Sequence, residues 1–190
     1  MPRMSEAEKR KSHNKILDAA AQMVRAKGVE GTSVSDVMQA AGLTHGGFYR
    51  HFGSKDDLVA AAFRTAVDDV LSEMEKATSL DAKANARHDY IDSYLSQSHI
   101  DNRSEGCPLA ALAGDLSRDE GKARQEGFAA VERVATLLKE EPDVSQGTAL
   151  LALMLGTVTL ARLAQTKEEA GSVLQAGRKG VDLLQKNWSP

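Results

Sequence analysis

Apolar residues recur along most of the chain at steps of three and four, with no sustained stretch of strict alternation, and this rhythm predicts an all-helical fold. Ile16, Ala20, Met23 and Val24 mark one stripe of a first helix, Glu6 to Lys27, and Gly28 follows where a left-handed cap residue is wanted. Two short helices come next. Thr32 and Ser33 cap a helix from Val34 to Ala40, Gly42 permits a tight turn, and a second helix runs from Thr44 to Arg50. Ser54 then opens a long helix whose apolar positions Leu58, Ala62, Ala66, Val67, Val70 and Met74 reach to about Lys76. That helix joins the N-terminal module to the rest and is expected to transmit motion between them.

Further helices are predicted at Asp81 to Gln97, Pro108 to Leu116, Asp119 to Glu140, Val144 to Gln165 and Lys167 to Lys186, with His99 to Gly106 as a polar connection. Pro108 suits the first turn of a helix, where a missing N–H is tolerated, and Pro142 breaks the chain between two long helices. The run Thr148 to Ala164 is interrupted by Thr157, Thr159 and Arg162 and falls short of the roughly 20 apolar residues that span a bilayer, so it reads as a buried helix. The expected division is a helix-turn-helix domain over residues 1–53 and a helical body over residues 54–190.

Charge changes this picture. The net charge of −3 argues against a nucleic-acid partner, but it is unevenly spread. Residues 1–60 carry nine Lys and Arg against seven Asp and Glu, whereas residues 61–190 carry fifteen against twenty. A mildly basic end on an acidic body fits a small DNA-facing module attached to a domain with another task. One cysteine, Cys107, excludes an intramolecular disulfide and a multi-Cys zinc cluster, and suits a reducing compartment. The polar start Met1 to Glu6 lacks the apolar stretch of a secretory signal, so the cytoplasm is the expected location, with no membrane partner. The motifs of phosphate loops, zinc proteases, serine hydrolases and dinucleotide enzymes are missing, and none of the five histidines pairs with another at i, i+4. Neither enzyme activity, nor a cofactor, nor a metal site is expected.

The most informative stretch is Thr32 to Leu58. Val37, Ala41, Leu43, Phe48 and Phe52 supply contacts that hold two short helices crossed, leaving the polar face of the second for a major groove. Thr44 and His45 are placed to reach base edges, Tyr49 and Lys55 to reach phosphates, and Arg50 to do either; Ser33 and His51 complete the candidate DNA-binding set. Gly46 and Gly47 cost roughly 1 kcal/mol each relative to Ala inside a helix. Either they let backbone approach DNA closely, or they are first-turn residues where glycine is tolerated.

The segment Gly42-Leu43-Thr44-His45-Gly46-Gly47-Phe48-Tyr49-Arg50-His51-Phe52-Gly53-Ser54-Lys55-Asp56-Asp57-Leu58 resembles the helix-turn-helix signature of the TetR/AcrR family of bacterial regulators. The resemblance covers about the first 60 residues. Met38 stands where the family often has alanine, and His45 where it often has a long polar side chain, so base preference is not carried over. The resemblance implies a homodimer on a palindromic double-stranded DNA operator, three N-terminal helices per reading head, and about six C-terminal helices around a pocket for a small-molecule effector. It further implies that effector binding spreads the two heads, which makes a ligand-released repressor the leading expectation. An activator, or a redox-responsive regulator sensing through Cys107, is the alternative.

In the body, the Val144 to Gln165 helix is apolar nearly all round, which predicts contacts on more than one side. Leu151, Met154, Leu155 and Val158, with Val173, Leu174, Gly177, Val181 and Leu184 of the last helix, are the candidate dimer interface; an ordinary core helix is the other reading. Phe63, Met74, Tyr90, Tyr94, Cys107, Leu112, Phe128 and Val131 are candidates to line the effector cavity, although such residues at helical spacing also build plain core. Cys107 begins a helix, where the backbone dipole favours a thiolate; burial as a small apolar residue is the alternative.

Overall fold

The computed structural model describes residues 5–140 and 144–188. Among these residues there are nine α-helices, one 3₁₀-helix and no strand. The helices are α1 (Glu6–Lys27), α2 (Val34–Ala40), the 3₁₀-helix His45–Arg50, α3 (Lys55–Lys76), α4 (Leu80–Tyr94), α5 (Gln97–Asp101), α6 (Pro108–Leu116), α7 (Lys122–Leu138), α8 (Val144–Ala161) and α9 (Lys167–Asn187). Pro142 and residues 1–4, on which the expected chain break and most of the leader reading rested, lie outside the described residues.

Side-chain caps fix most of the helix starts. Ser5 and Glu8 form a reciprocal capping box on α1, as Thr166 and Glu169 do on α9. The hydroxyls of Ser33, Ser54, Ser79 and Ser96 accept from the third residue onward at the starts of α2, α3, α4 and α5. Ser96 accounts for one difference from expectation. The predicted helix Asp81 to Gln97 ends at Tyr94, because Ser96 captures the His99 N–H and starts α5 within what was expected to be loop. The predicted helix Asp119 to Glu140 likewise begins only at Lys122 and stops at Leu138. Gly28 takes a positive φ of 77°, but its ψ of 172° is extended, so the end of α1 is not the left-handed cap expected.

The helices enclose two apolar clusters. A small one gathers Ile16, Ala20, Val37, Met38, Phe48 and Phe52 with Leu58, Ala62 and Ala66 of α3. The larger one gathers Val59, Phe63, Val67, Leu71 and Met74 of α3 with residues from α4 to α9. Different stripes of α3 thus serve the two cores. Polar ties reinforce the join: Val29 N–H donates to Asp115 Oδ2 at 3.1 Å, Arg25 donates to the Gly106 carbonyl at 3.2 Å, and Lys122 pairs with Asp57.

Helix α8 lies between α7 and α9. By length and composition alone it would pass for a bilayer-crossing helix, whereas the sequence pattern placed it just short of one. Its inward residues Leu150, Leu151, Met154 and Val158 are buried in the larger core, which accounts for that apolarity. The candidate interface residues divide accordingly. Leu151, Met154, Val158, Leu174, Gly177 and Val181 are buried within the chain and pack between its own helices, Gly177 passing directly against Thr157. Only Leu155, Val173 and Leu184 keep partial exposure. The outward face of α8 is instead Val144, Thr148, Ala152, Gly156, Thr159 and Leu160, without a charged side chain, and exposed Leu163 follows just past the helix end; Leu160 is 59% exposed. A helix apolar on all sides gives no periodicity by which the two faces can be told apart.

The α7–α8 crossing depends on Gly147. A Cβ there would collide with the Ala135 carbonyl oxygen, which is main chain and cannot turn aside. Gly147→Ala is therefore expected to destabilise the protein by about 1–3 kcal/mol through overpacking. Gly171→Ala, at an open position on α9, is expected to be neutral or to stabilise by up to about 1 kcal/mol. Urea unfolding followed by circular dichroism checks both, and equal effects would show that the crossing is not limited by space.

Candidate nucleic-acid interface

The turn between α2 and the 3₁₀-helix is set by Gly42, whose φ of 72° strains any residue with a Cβ. Beyond it, Thr44 caps the 3₁₀-helix without spending its side chain on the cap. The expected α-helical second element is 3₁₀ because its six residues include Gly46 and Gly47, which contribute little to a longer helix. Phe48 and Phe52 anchor it from below, 2% and 6% exposed, with their rings stacked at 5.8 Å. His13 of α1 stacks on Phe52 at 4.7 Å. The anchor leaves Thr44, His45, Gly46, Tyr49 and Arg50 outward, and Tyr49 is 74% exposed although it carries a large ring.

The two glycines separate. Gly46 faces open space, so a partner's backbone or phosphate can come close there. Gly47 is half-buried, and a Cβ on it would lie 3.5 Å from the Met38 terminal methyl. Met38, one of the two departures from the family pattern, is buried beneath that glycine, with its terminal methyl at ordinary van der Waals distance from where a Cβ would stand.

Lys55 opens α3 beside the 3₁₀-helix, half-buried, on a crevice of about 310 Å³ shared with Asp56, Asp115 and Asp119. Ser33 is exposed; its oxygen accepts from Asp36 N–H at 3.1 Å as the α2 cap, and its proton remains to donate. His51 does not stand with the outward row: it is half-buried, its ring 5.7 Å from that of His13. Burial first, then the neighbouring charges of His13, Lys9 and Arg50, lower its pKa below the usual histidine value. Lys9, Arg10 and His13 join Arg50 and His51 around a crevice of about 400 Å³, a basic cluster that sequence reasoning did not assemble. Its signal was present in the Lys9-Arg10-Lys11 run, with His13 one turn beyond Lys9.

A second cavity, of about 360 Å³, lies in the body between α4, α5 and the turn before α6, lined by Tyr90, Tyr94, His99, Gly106 and Cys107 among others. It contains three of the eight residues expected there. Phe63, Met74 and Leu112 are core residues, Val131 packs at the core's edge, and Phe128 is 65% exposed on α7, so none of these five lines the cavity. Cys107 is buried. Burial raises its thiol pKa despite the opposing pull of the Leu109 and Ala110 amides and the Tyr90 and Tyr94 hydroxyls. The helix start does favour a thiolate, as expected, but desolvation outweighs it.

Residues 16–62 match the family model of bacterial regulatory proteins, tetR family. YfiR of Bacillus subtilis, an uncharacterized HTH-type transcriptional regulator, is 29% identical over 105 residues, covering 55% of this chain and 47% of that protein. The HTH-type transcriptional repressor KstR2 of Rhodococcus jostii is 35% identical over 71 residues, 36% of this chain and 35% of that protein. These matches span about a third to a half of the relatives' length. Among solved structures, a TetR transcriptional regulator from Chloroflexus aurantiacus aligns with a TM-score of 0.72 at 23% identity, over 93% of this chain and 96% of that one, which establishes the shared fold. With the helix-turn-helix built as described and this family match lying on it, residues 16–62 form a DNA-binding head of the tetR-family type of bacterial regulatory proteins.

Proposed function

We propose that the protein is a cytoplasmic, homodimeric repressor that holds a palindromic operator and releases it when a small molecule enters the body. The observation that carries this reading is the outward row Thr44, His45, Gly46, Tyr49 and Arg50, standing on a buried pair of phenylalanines. A short element rigidly seated on a core, with polar side chains and one bare backbone position outward, suits insertion into a major groove. Residues 1–53 act as the reading head and residues 54–190 as the effector-binding and dimerising body, with the first turns of α3 packed into the head's core. Thr44 and His45 read bases; Tyr49, Arg50, Lys55 and Ser33 hold phosphates, joined by Lys9 and Arg10. His51 serves by supporting the 3₁₀-helix through its place beside His13. The relative KstR2 is a transcriptional repressor, which agrees with repression here, and neither catalysis nor a cofactor is part of this reading.

Dimerisation follows from the reach of one head, since a single short element reads too few base pairs for useful specificity. The uncharged outward stripe of α8, continued by Leu183 of α9, supplies a face on which a second copy can pack isologously. Leu155, Val173 and Leu184 lie at its inner edge.

Affinity for operator DNA should fall steeply between about 50 and 200 mM salt, with a log–log slope of about −0.9 per phosphate contact. Lys55→Ala should reduce that slope by about one, and Tyr49→Phe should weaken all sequences alike by about two- to tenfold, the worth of one hydrogen bond. Fluorescence anisotropy at several salt concentrations reads both, and a salt-insensitive complex would refute the phosphate assignments.

Thr44→Ala should change which bases are preferred, at roughly 1–3 kcal/mol for the contacted pair, while leaving the salt slope intact. Selection from a randomised duplex library measures the preference. An unchanged profile removes Thr44 from base reading.

Leu160→Glu should place a charge in the proposed α8 interface and shift sedimentation from dimer to monomer without loss of helicity. A variant that sediments as a dimer would show that this face is not the interface.

A further inference from the structure

We propose that the body cavity beside the Gly106–Cys107 turn binds a neutral carbonyl compound, an aldehyde or ketone of one or two rings, whose oxygen accepts both the Tyr90 and Tyr94 hydroxyls. This rests on reading the body as effector-binding, and adds the chemical class of the effector.

The argument starts from two orphaned groups. Tyr94 is only 3% exposed, Tyr90 has its hydroxyl buried as well, and neither hydroxyl reaches a nitrogen or oxygen acceptor; the neighbour both approach is the Cys107 sulfur, a weak acceptor. Both side chains line the cavity and both approach the Cys107 thiol, so they converge on one end of it. Buried hydroxyls without partners are costly, by an amount comparable to a lost hydrogen bond each, and an arrangement that keeps two of them together calls for an acceptor. The other polar groups at that end are engaged. His99 Nδ1 lies 2.6 Å from the Tyr94 carbonyl, to which it donates, and its Nε2 accepts from Cys107 N–H at 3.0 Å. The cavity offers donors there, and the ligand must bring the acceptor.

Charge narrows the class. Burial raises the pKa values of Tyr90, Tyr94 and Cys107 and lowers that of His99, so these four groups are held neutral, while Glu105 also lines the cavity and the Arg25 and Arg162 guanidiniums act on Cys107 from nearby. The Arg162 guanidinium acts on Tyr94 in the opposite direction and does not overcome burial. Desolvation at that end disfavours a charged ligand of either sign, and the Glu105 carboxylate on the wall opposes an anion further, against the pull of Arg25 and Arg162. A neutral oxygen with two lone pairs and no proton of its own matches two converging donors. A carbonyl is such an oxygen. A cavity of about 360 Å³ is somewhat over twice the roughly 150 Å³ that holds benzene, which sets the size at one or two rings.

The cavity is tied to the head. Gly106 forms part of its wall, and the carbonyl of Gly106 accepts from Arg25 of α1. Filling the space against Gly106 would therefore bear on the helix that supports the 3₁₀-helix through His13.

The test titrates the purified full chain by calorimetry with cyclohexanone, acetophenone and 1-indanone, against the matched hydrocarbons methylcyclohexane, ethylbenzene and indane, and against benzoate. At least one ketone should bind tenfold or more tightly than its hydrocarbon, with benzoate weaker than any bound ketone. The near-isosteric Y90F/Y94F double variant, checked for native helicity, should lose that preference while keeping hydrocarbon affinity within about threefold. Equal binding of ketone and hydrocarbon, tighter binding of benzoate, retention of the preference in the double variant, or no binding of any ketone overturns the proposal. Binding of the same preparation to genomic DNA fragments is measured alongside. Intact DNA binding without ketone binding refutes the carbonyl site alone, and ketone binding without DNA binding refutes the regulator reading alone.

Discussion

The structure depends on one helix being buried on two sides at once. Leu58, Ala62 and Ala66 of α3 close the small core beneath the helix-turn-helix, while Val59, Phe63, Val67 and Leu71 of the same helix enter the large core of the body. Each buried large apolar side chain contributes about 1.5–3 kcal/mol, so neither core is complete without α3. The head is too small to bury enough surface alone: its α2 has seven residues and its 3₁₀-helix six. The same economy explains why the outward row is so polar. Phe48 and Phe52 already occupy the inward positions, and Tyr49, next to Phe48 in sequence, is turned out to solvent with its ring nearly perpendicular to that of Phe48.

Much of this was legible because caps are written locally. Glu6 to Lys27, Val34 to Ala40 and Pro108 to Leu116 were expected with the boundaries they have, from Ser33, from Pro108 at a first turn and from apolar spacing. The break at Leu95 was not, since Tyr90, Ile91, Tyr94 and Leu95 continue a helical rhythm through it. What stops α4 is tertiary: the His99 ring folds back on the Tyr94 carbonyl and Ser96 starts a new helix. The interior of the body was the least legible part. In α8 nearly every position is apolar, so Leu151 and Leu155 look alike in sequence, while one is buried against the chain's own core and the other is partly exposed. Phe128 shows the same limit from the other side, as an aromatic at a core-like spacing that faces solvent. Of the eight residues expected around a cavity, Tyr90, Tyr94 and Cys107 line it, and spacing alone did not separate them from the other five.

Communication between body and head has two kinds of physical link, and their magnitudes differ. The burial along α3 is worth many kcal/mol and does not open without unfolding one of the cores. The polar ties at the end of α1 are smaller: Arg25 to the Gly106 carbonyl, and Val29 N–H to the Asp115 carboxylate, each a charge-assisted hydrogen bond of about 1.5–3 kcal/mol. Moving a two-state equilibrium from one side to the other takes about 5.5 kcal/mol of differential binding. Two such ties fall within that range, and the α3 packing lies above it. Any adjustment of the head against the body therefore pivots on α3 and is resisted at Arg25 and Asp115. Both ties end on the segment from Gly106 to Asp115, which begins at the cavity wall and runs the length of α6. A displacement of that segment reaches α1 directly, whereas the 3₁₀-helix, seated on Phe48, Phe52 and His13, follows α1 as one body.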